Sequence, residues 1–148
     1  MPNATTGMQV DPYRAYNFKL EIQGMVEGHF TECTGMDIKV QAIKYREGGT
    51  NQVVRQLPGR VEYGDITLRY GLTRSRELWD WFMTAVKGKV ERKNASIVLL
   101  ESDGITEALR WNLVAAWPSQ WRGALLDALS HEAAIESVTL VFDTLDRG

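Results

Sequence analysis

The chain has 148 residues, 44% of them apolar and 24% charged, and its net charge is −2. These values are typical of one soluble globular domain and exclude a disordered chain, and the near-neutral charge gives no general attraction to nucleic acid or anionic membranes. The single cysteine, Cys33, excludes an intrachain disulfide, and no run approaches the roughly 20 apolar residues of a membrane helix.

The first part of the chain predicts a short arm followed by strands. Residues 1–12 are small and polar, which predicts a flexible N-terminal arm ahead of a single domain over residues 13–148. The arm has no apolar leader, so we expect synthesis in the cytoplasm. Strict alternation over residues 16–23 predicts a half-buried strand. Two more strands are predicted over residues 29–34 and 36–42, and a phase slip at 43–45 indicates a bulge.

The next stretch, residues 44–70, reads as strand at its ends but not in its middle. Gly48-Gly49 and Pro58-Gly59 interrupt it, and the excursion exceeds the 2–5 residues that are usual in a hairpin loop. It carries Val53, Val54 and Leu57 among charged residues, which a loose loop rarely does. We therefore predict a protruding hairpin over about residues 45–60 that docks outside its own domain.

The second half predicts one helix and further strands. Ile66 to Tyr70 alternates as a strand, and residues 73–87 are periodic as a helix, with Thr73 or Ser75 as the N-cap and Gly88 at its end. Strands are predicted over residues 96–101, 109–117 (stopped by Pro118) and 138–143, with a short helix or packed loop over 121–131. Six or seven strands, one helix and no βαβ alternation predict an antiparallel barrel or two-sheet sandwich.

Few residues suggest catalysis. His29 and Cys33 could form a Cys–His nucleophile, but a buried structural thiol is the favoured interpretation. One cysteine and two distant histidines do not supply a metal site. The five tryptophans could form a stacking platform, although core packing is favoured because Trp79, Trp111 and Trp117 are in phase with apolar neighbours. We predict no catalytic residues, no metal and no cofactor.

A series of short motifs runs in fixed order along nearly the whole chain. They are residues 11–14, 18–24, 30–37, 45–49, 57–59, 66–68, 76–81, 96–100, 110–112, 116–119 and 133–136. In order and spacing this series resembles the tail tube family of contractile phages and related contractile injection systems, to which the Hcp protein of type VI secretion is similar.

The resemblance implies both a fold and an assembly. The fold is a mainly β, Hcp-like antiparallel barrel or two-sheet sandwich with one packed helix. Six subunits close a ring, and rings stack into a hollow tube that a contracting sheath propels. The implied partners are other copies of the chain, a sheath protein, baseplate or tube-initiator proteins, terminator or cap proteins and lumen cargo, without specific nucleic acid or a membrane anchor. The family implies a non-enzymatic, structural protein of a phage tail or phage-tail-like particle.

Two sets of residues are candidates for assembly roles. Polar positions on the predicted strands could line the lumen or face external solvent, and the sequence does not choose between the two. The candidates for ring stacking are Tyr45, Arg46, Glu47, Val53, Val54, Arg55, Leu57 and Arg60. The candidates for lumen lining are Lys19, Glu21, Lys39, Gln41, Asp65, Thr67 and Arg69.

Three alternatives remain open at this point. A tube-initiating subunit of the baseplate would share the fold. Against many members of the family that the chain resembles, Gly123-Ala124 stands in place of a Gly-Pro pair, Leu125-Leu126 makes the loop more apolar, and Asp143 stands where the closing strand often ends with a Glu. A monomeric barrel for a small ligand or sugar would need a pocket lined by tryptophans. A cysteine hydrolase would need His29 and Cys33 to converge in a cleft.

Overall fold

The computed structural model describes residues 18–23, 30–46, 54–72 and 74–148. The predicted arm, residues 1–12, lies outside them. The described part contains nine strands and one helix, more strands than the six or seven predicted. In chain order these are β1 Phe18–Ile22, β2 Glu32–Thr34, β3 Ile38–Arg46, β4 Val54–Tyr63, β5 Ile66–Gly71, α1 Glu77–Val86, β6 Lys93–Leu100, β7 Glu107–Arg122, β8 Ile135–Val141 and β9 Thr144–Arg147.

Seven of the strands form one antiparallel sheet that folds over on itself. Its order is β1-β6-β7-β8-β5-β2, and β9 also pairs with β7. The long β7 belongs to both halves, since residues 107–116 pair with β6 and residues 117–122 with β8. Close to the junction of these segments, Ala115 adopts a positive φ of 56°, which bends the strand. We call β1, β6, β9 and residues 107–116 half-sheet A, and β2, β5, β8 and residues 117–122 half-sheet B.

The hydrophobic core lies between the two half-sheets. Its fully buried side chains come from alternate positions of both, which is why the alternation read from the sequence gives the correct faces. In half-sheet A they include Leu20, Ile22, Ile97 and Leu113, and in half-sheet B Ile66, Leu68, Val138 and Leu140. The two-sheet sandwich that the sequence predicted is therefore confirmed.

The helix closes the core at one side. Leu78 and Trp81 are buried in the core, and the Trp81 indole donates a 2.6 Å hydrogen bond to the Glu91 carbonyl. The helix begins at Glu77, later than predicted; the Ser75 hydroxyl accepts the Glu77 N–H at 3.5 Å, and Thr73 lies outside the described residues. Gly88 ends the helix as predicted, with a φ of +77°.

Two prolines that the sequence analysis treated as strand breaks lie inside strands. Pro58 pairs with Ala42 within β4, and Pro118 pairs with Leu140 within β7. Both predictions were wrong because proline is tolerated where the N–H side of a strand has no partner or where the ladder bulges. The pairing shifts register next to each of them, before Ala42 and after Pro118.

The segment over residues 123–134 also differs from the prediction. It forms a loop with a turn at 128–129, and its three leucines are exposed to solvent instead of packed.

The hairpin of β3 and β4 leaves half-sheet B through a narrow root. Gly35 has a φ of +94°, and the Gly64 N–H donates a 3.1 Å hydrogen bond to the Asp37 carbonyl. A Cβ on Gly35 would overlap the backbone oxygen of Asp65. Only glycine satisfies both the backbone angle and the close approach.

We expect Gly35→Ala to lower the free energy of unfolding by about 3 kcal/mol or more, because it combines left-handed strain with a backbone clash. Gly104→Ala is the matched control, since Gly104 also has a positive φ but nothing near its Cβ position; about 1 kcal/mol is expected there. Urea unfolding of the unassembled chain measures both. Equal losses in the two variants would contradict the proposed role of the close approach.

Candidate functional site

The hairpin of β3 and β4 is a separate two-stranded sheet that the rest of the described chain leaves largely uncovered. β3 pairs with β4 from Ile38↔Tyr63 to Arg46↔Val54, and every residue of β3 is exposed. A lone two-stranded hairpin is at best marginally stable in water, and exposed apolar patches of this kind mark interaction sites. The hairpin is therefore the first candidate site.

Apolar side chains lie on both faces of this hairpin. Alternation along β3 places Ile38 and Val40 on one face, opposite Tyr63 and Val61, and we call Ile38, Val40 and Val61 the base patch. The Tyr63 ring makes an edge contact with Phe142 of the body, with ring centroids 5.9 Å apart.

Nearer the loop, three apolar residues occupy the other face of the hairpin. They are Ile43, Tyr45 and Leu57, which we call the tip patch. Their exposed fractions are 49%, 49% and 46%, so about half of the surface of each residue is accessible to a partner.

The hairpin is also strongly basic. Among its described residues only Glu62 is acidic, against five basic side chains: Lys39, Lys44, Arg46, Arg55 and Arg60. Lysine and arginine on a strand edge also discourage uncontrolled edge-to-edge pairing. An apolar patch framed by positive charge favours an acidic, apolar partner surface.

The stacking candidates fall largely on this hairpin. Glu47 and Val53 lie outside the described residues. The others are exposed residues of the hairpin: Tyr45, Arg46, Val54, Arg55, Leu57 and Arg60. Sequence analysis missed Ile38, Val40, Ile43 and Val61, because a half-buried strand and an uncovered strand show the same alternation.

The lumen candidates are divided among three surfaces. Lys19 and Glu21 lie on the outer face of half-sheet A, and Thr67 and Arg69 on the outer face of half-sheet B. The core separates these two faces, so a single channel surface can contain only one of the pairs. The other candidates are Lys39 and Gln41, on the hairpin, and Asp65, in the turn before β5.

The outer face of half-sheet A carries a chain of ion pairs. Lys19 contacts Glu21 at 3.5 Å, Glu21 contacts Arg110 at 2.8 Å, and Arg110 contacts Glu107 at 2.7 Å. The hydrogen bond from Arg110 lowers the pKa of the Glu107 carboxyl, and the same bond raises the pKa of Arg110. Val98, which pairs with Lys19 and Arg110, is buried. The charged groups of this face are therefore paired with one another.

The outer face of half-sheet B is polar across all four strands. Its cross-strand rows are Thr34–Thr67–Thr139–Gln120 and Glu32–Arg69–Ser137–Arg122. The hydroxyls of Thr67 and Thr139 lie 3.2 Å apart, and Arg69 pairs with Glu32 at 3.1 Å. In the described part of the chain, β2 and the 117–122 segment of β7 each have a strand partner on one side only. Half-sheet B thus has two open edges.

The described residues give little support to a cysteine hydrolase or to a tryptophan-lined binding barrel. Burial raises the pKa of the Cys33 thiol to about 11, so the thiol is protonated at neutral pH; His29 lies outside the described residues. Trp81 is in the core, and Trp79 packs edge-on against Trp121 with ring centroids 4.9 Å apart. No group of side chains suited to hold a metal occurs within the described ranges.

Trp111 lines an open cavity of about 340 Å³ beside Phe18 and Cys33. α1, the one helix in the described residues, is too short to cross a membrane.

Comparison with known proteins identifies relatives over almost the full length. The family model of T4-like virus tail tube protein gp19 matches residues 14–146. A chain of the PVC sheath–tube complex of an extracellular contractile injection system, in the extended state, is 30% identical, covers 93% of this chain and 91% of its own, and has a TM-score of 0.82. A chain from the PVC sheath/tube terminator is 29% identical, covers 94% and 98%, and has a TM-score of 0.84.

One further structure shares the fold at lower identity. Hcp1 from Flavobacterium johnsoniae is 16% identical, covers 90% of this chain and 95% of its own, and has a TM-score of 0.63. Comparison with curated proteins gives no match.

The raised pKa predicts an unreactive thiol. At pH 7.5 we expect Cys33 in the unassembled chain to react with iodoacetamide about two orders of magnitude more slowly than a free thiol of pKa near 8.5, because only the thiolate attacks. The rate should rise about tenfold per pH unit between pH 7.5 and 9.5, since the thiolate fraction does so below a pKa of about 11. A rate already at its plateau near pH 7 would contradict this and revive the Cys–His nucleophile.

Proposed function

Because the chain belongs to the T4-like virus tail tube protein family, we propose that it is the repeated subunit of the inner tube of a contractile injection system or phage tail. The observation that carries this proposal is the uncovered, apolar and basic hairpin on a tail-tube fold. In this role the subunit acts through assembly, without catalysis or a cofactor. It is made in the cytoplasm and becomes part of the particle.

Stacking of rings follows from the hairpin. A hairpin that buries its apolar face on a different surface of another copy makes a heterologous contact, and such contacts propagate along an axis instead of closing. The stacking residues in this proposal are the tip patch together with Arg46, Val54, Arg55 and Arg60. Burial of the patch on assembly also stabilises a hairpin that is marginal alone.

Ring closure follows from the open edges of half-sheet B. If β2 of one copy pairs with the 117–122 segment of β7 in its neighbour, the exposed backbone groups of both edges are satisfied. Six copies then close a continuous barrel, the number that the resemblance implies. The ring needs no change in the fold of the subunit.

The same closure assigns the lumen to half-sheet B. Its outer face becomes the inner wall, which is lined by the threonine row and by Arg69 with its partner Glu32. The hairpin is rooted in this half-sheet, so the wall continues from ring to ring. Lys19 and Glu21 then face away from the lumen. A lining of hydroxyls and paired charges gives no strong grip on nucleic acid, which lets cargo or genome pass.

The outer partners in this proposal are a sheath protein, a baseplate or tube-initiator protein and a terminator or cap protein. Support comes from the two PVC relatives, which were solved in a sheath–tube complex and in a sheath/tube terminator. The outer face of half-sheet A and helix α1 are the surfaces left for the sheath once half-sheet B lines the lumen.

Electron microscopy of the purified chain tests the assembly. We expect hollow tubes with six-fold end views. Single six-fold rings that never stack would favour the tube-initiator alternative. A chain that stays monomeric at every concentration, and that a baseplate also fails to recruit, would contradict the proposal.

Leu57→Ser and Ile43→Ser should abolish stacking while leaving the melting temperature of the subunit unchanged, because neither side chain packs in the core.

Ile105→Ser is the matched control for those variants. Ile105 is an exposed isoleucine in the turn between β6 and β7, and its replacement should leave tubes intact. If the two hairpin variants form normal tubes, the proposed role of the hairpin in stacking is wrong.

Cysteine labelling tests the assignment of the lumen. In a Cys33→Ser background, Thr67→Cys in assembled tubes should react with a small maleimide but not with a bulky polymer-linked one, because the polymer cannot enter the channel. Lys19→Cys should react with both reagents. Both variants should react with both reagents before assembly, and the reverse protection pattern in tubes would place half-sheet A at the lumen.

A further inference from the structure

Half-sheet B carries two exposed apolar features, one at each end. Strand β5 begins at Ile66, next to the hairpin root, and ends beside Leu72, whose N–H donates a 3.0 Å hydrogen bond to the Ala134 carbonyl. Ala134 closes the loop between β7 and β8. The hairpin and this loop are therefore separated by the length of a six-residue strand, about 20 Å. One copy can therefore present its hairpin to the loop of the next copy in a head-to-tail contact.

The loop between β7 and β8 exposes three leucines to an unusual degree. Leu125, Leu126 and Leu129 are 83%, 78% and 90% exposed, and we call them the leucine loop. Local turns order the segment, since Asp127 accepts hydrogen bonds from the N–H groups of Leu129 at 3.0 Å and Ser130 at 3.1 Å. The leucines thus remain in solvent although the backbone that carries them is held in defined turns.

The leucine loop borders a shallow depression on the body of the subunit. Leu125 and Leu126 line it together with Ile135 and Arg69, and its volume is about 730 Å³. An apolar edge beside a depression of this size can receive a few large side chains from another surface.

The charge of the loop is opposite to that of the hairpin. The segment over residues 123–134 contains two acidic residues, Asp127 and Glu132, and no lysine or arginine. The hairpin carries five basic residues and one acidic residue in its described part. Complementary potentials of this kind fix the partner and the orientation of a contact.

We propose that the tip patch of one copy docks on the leucine loop of the next copy along the tube, with the basic hairpin residues facing Asp127 and Glu132. This inference rests on the proposed function and adds to it the acceptor surface. The occupant is a second copy of this chain because the donor and acceptor surfaces lie at opposite ends of one half-sheet.

Disulfide trapping tests the contact directly. In a Cys33→Ser background, Leu126→Cys is combined with Ile43→Cys, Tyr45→Cys or Leu57→Cys in turn, and assembled tubes are oxidised. At least one pair should give a ladder of covalent multimers on a denaturing gel, because each copy donates one cysteine upward and one downward. The single variants and the pair of Leu57→Cys with Ile105→Cys should give no ladder.

The outcomes separate the inference from the proposed function. Tubes that are visible by electron microscopy but give no ladder with any of the three pairs overturn the inference and leave the tube role intact. Failure of the unmodified chain to form rings or tubes under any condition, with a baseplate present, overturns both.

Charge reversal gives an independent measurement of the same contact. We expect Glu132→Arg to reduce tube formation at least tenfold at low salt, and Arg55→Glu in the same chain to restore it. Loss without restoration, or no loss at all, contradicts the pairing of the hairpin with this loop. Asp146→Arg, a charge change at an exposed residue of β9 in half-sheet A, serves as the control and should leave tubes intact.

Discussion

The structure depends on one constraint, which is that the other described residues leave the sheet of β3 and β4 largely uncovered. Two strands with exposed side chains on both faces bury too little apolar surface to offset the entropy of ordering them. A surface beyond the described residues is therefore needed to stabilise this sheet, and in the proposed tube a neighbouring copy supplies it. The basic side chains along the hairpin keep its edges from pairing indiscriminately before that surface arrives.

The bend in β7 determines which faces can meet a neighbour. Because one strand serves both half-sheets, the core is enclosed between them and each outer face is committed to a different environment. Half-sheet A satisfies its charges internally through the chain that links Lys19, Glu21, Arg110 and Glu107. Half-sheet B presents hydroxyl rows and two open edges. In the proposed tube, this asymmetry lets one small sandwich present a channel wall on one side and a contact surface on the other.

Much of the fold was predictable because local patterns agree with it. Alternation in β1 and β5, the helical period of α1 and the left-handed stop at Gly88 all match their tertiary surroundings. The failures share a cause. Proline interrupts most strands, but Pro58 and Pro118 each lie at a bulge beside an unpaired strand edge. Such a position exists only after the strands have assembled, so it cannot be read from the local sequence. The exposed leucine loop was misjudged because apolar composition usually signals burial within the same chain.

The sequence by itself determined the class of fold, the place of the hairpin in the chain and the family, since periodicity and motif order are properties of the linear chain. Tertiary structure decided which alternating strands were buried and which were uncovered, because alternation defines two faces without saying what covers either. It also separated Lys19 and Glu21 from Thr67 and Arg69 on opposite sides of the core. Tertiary structure also placed the hairpin and the leucine loop at opposite ends of half-sheet B. The antiparallel pairing of β5 with β8 does this, because it brings the start of β8, where the leucine loop ends, beside the end of β5, about 65 positions earlier in the sequence.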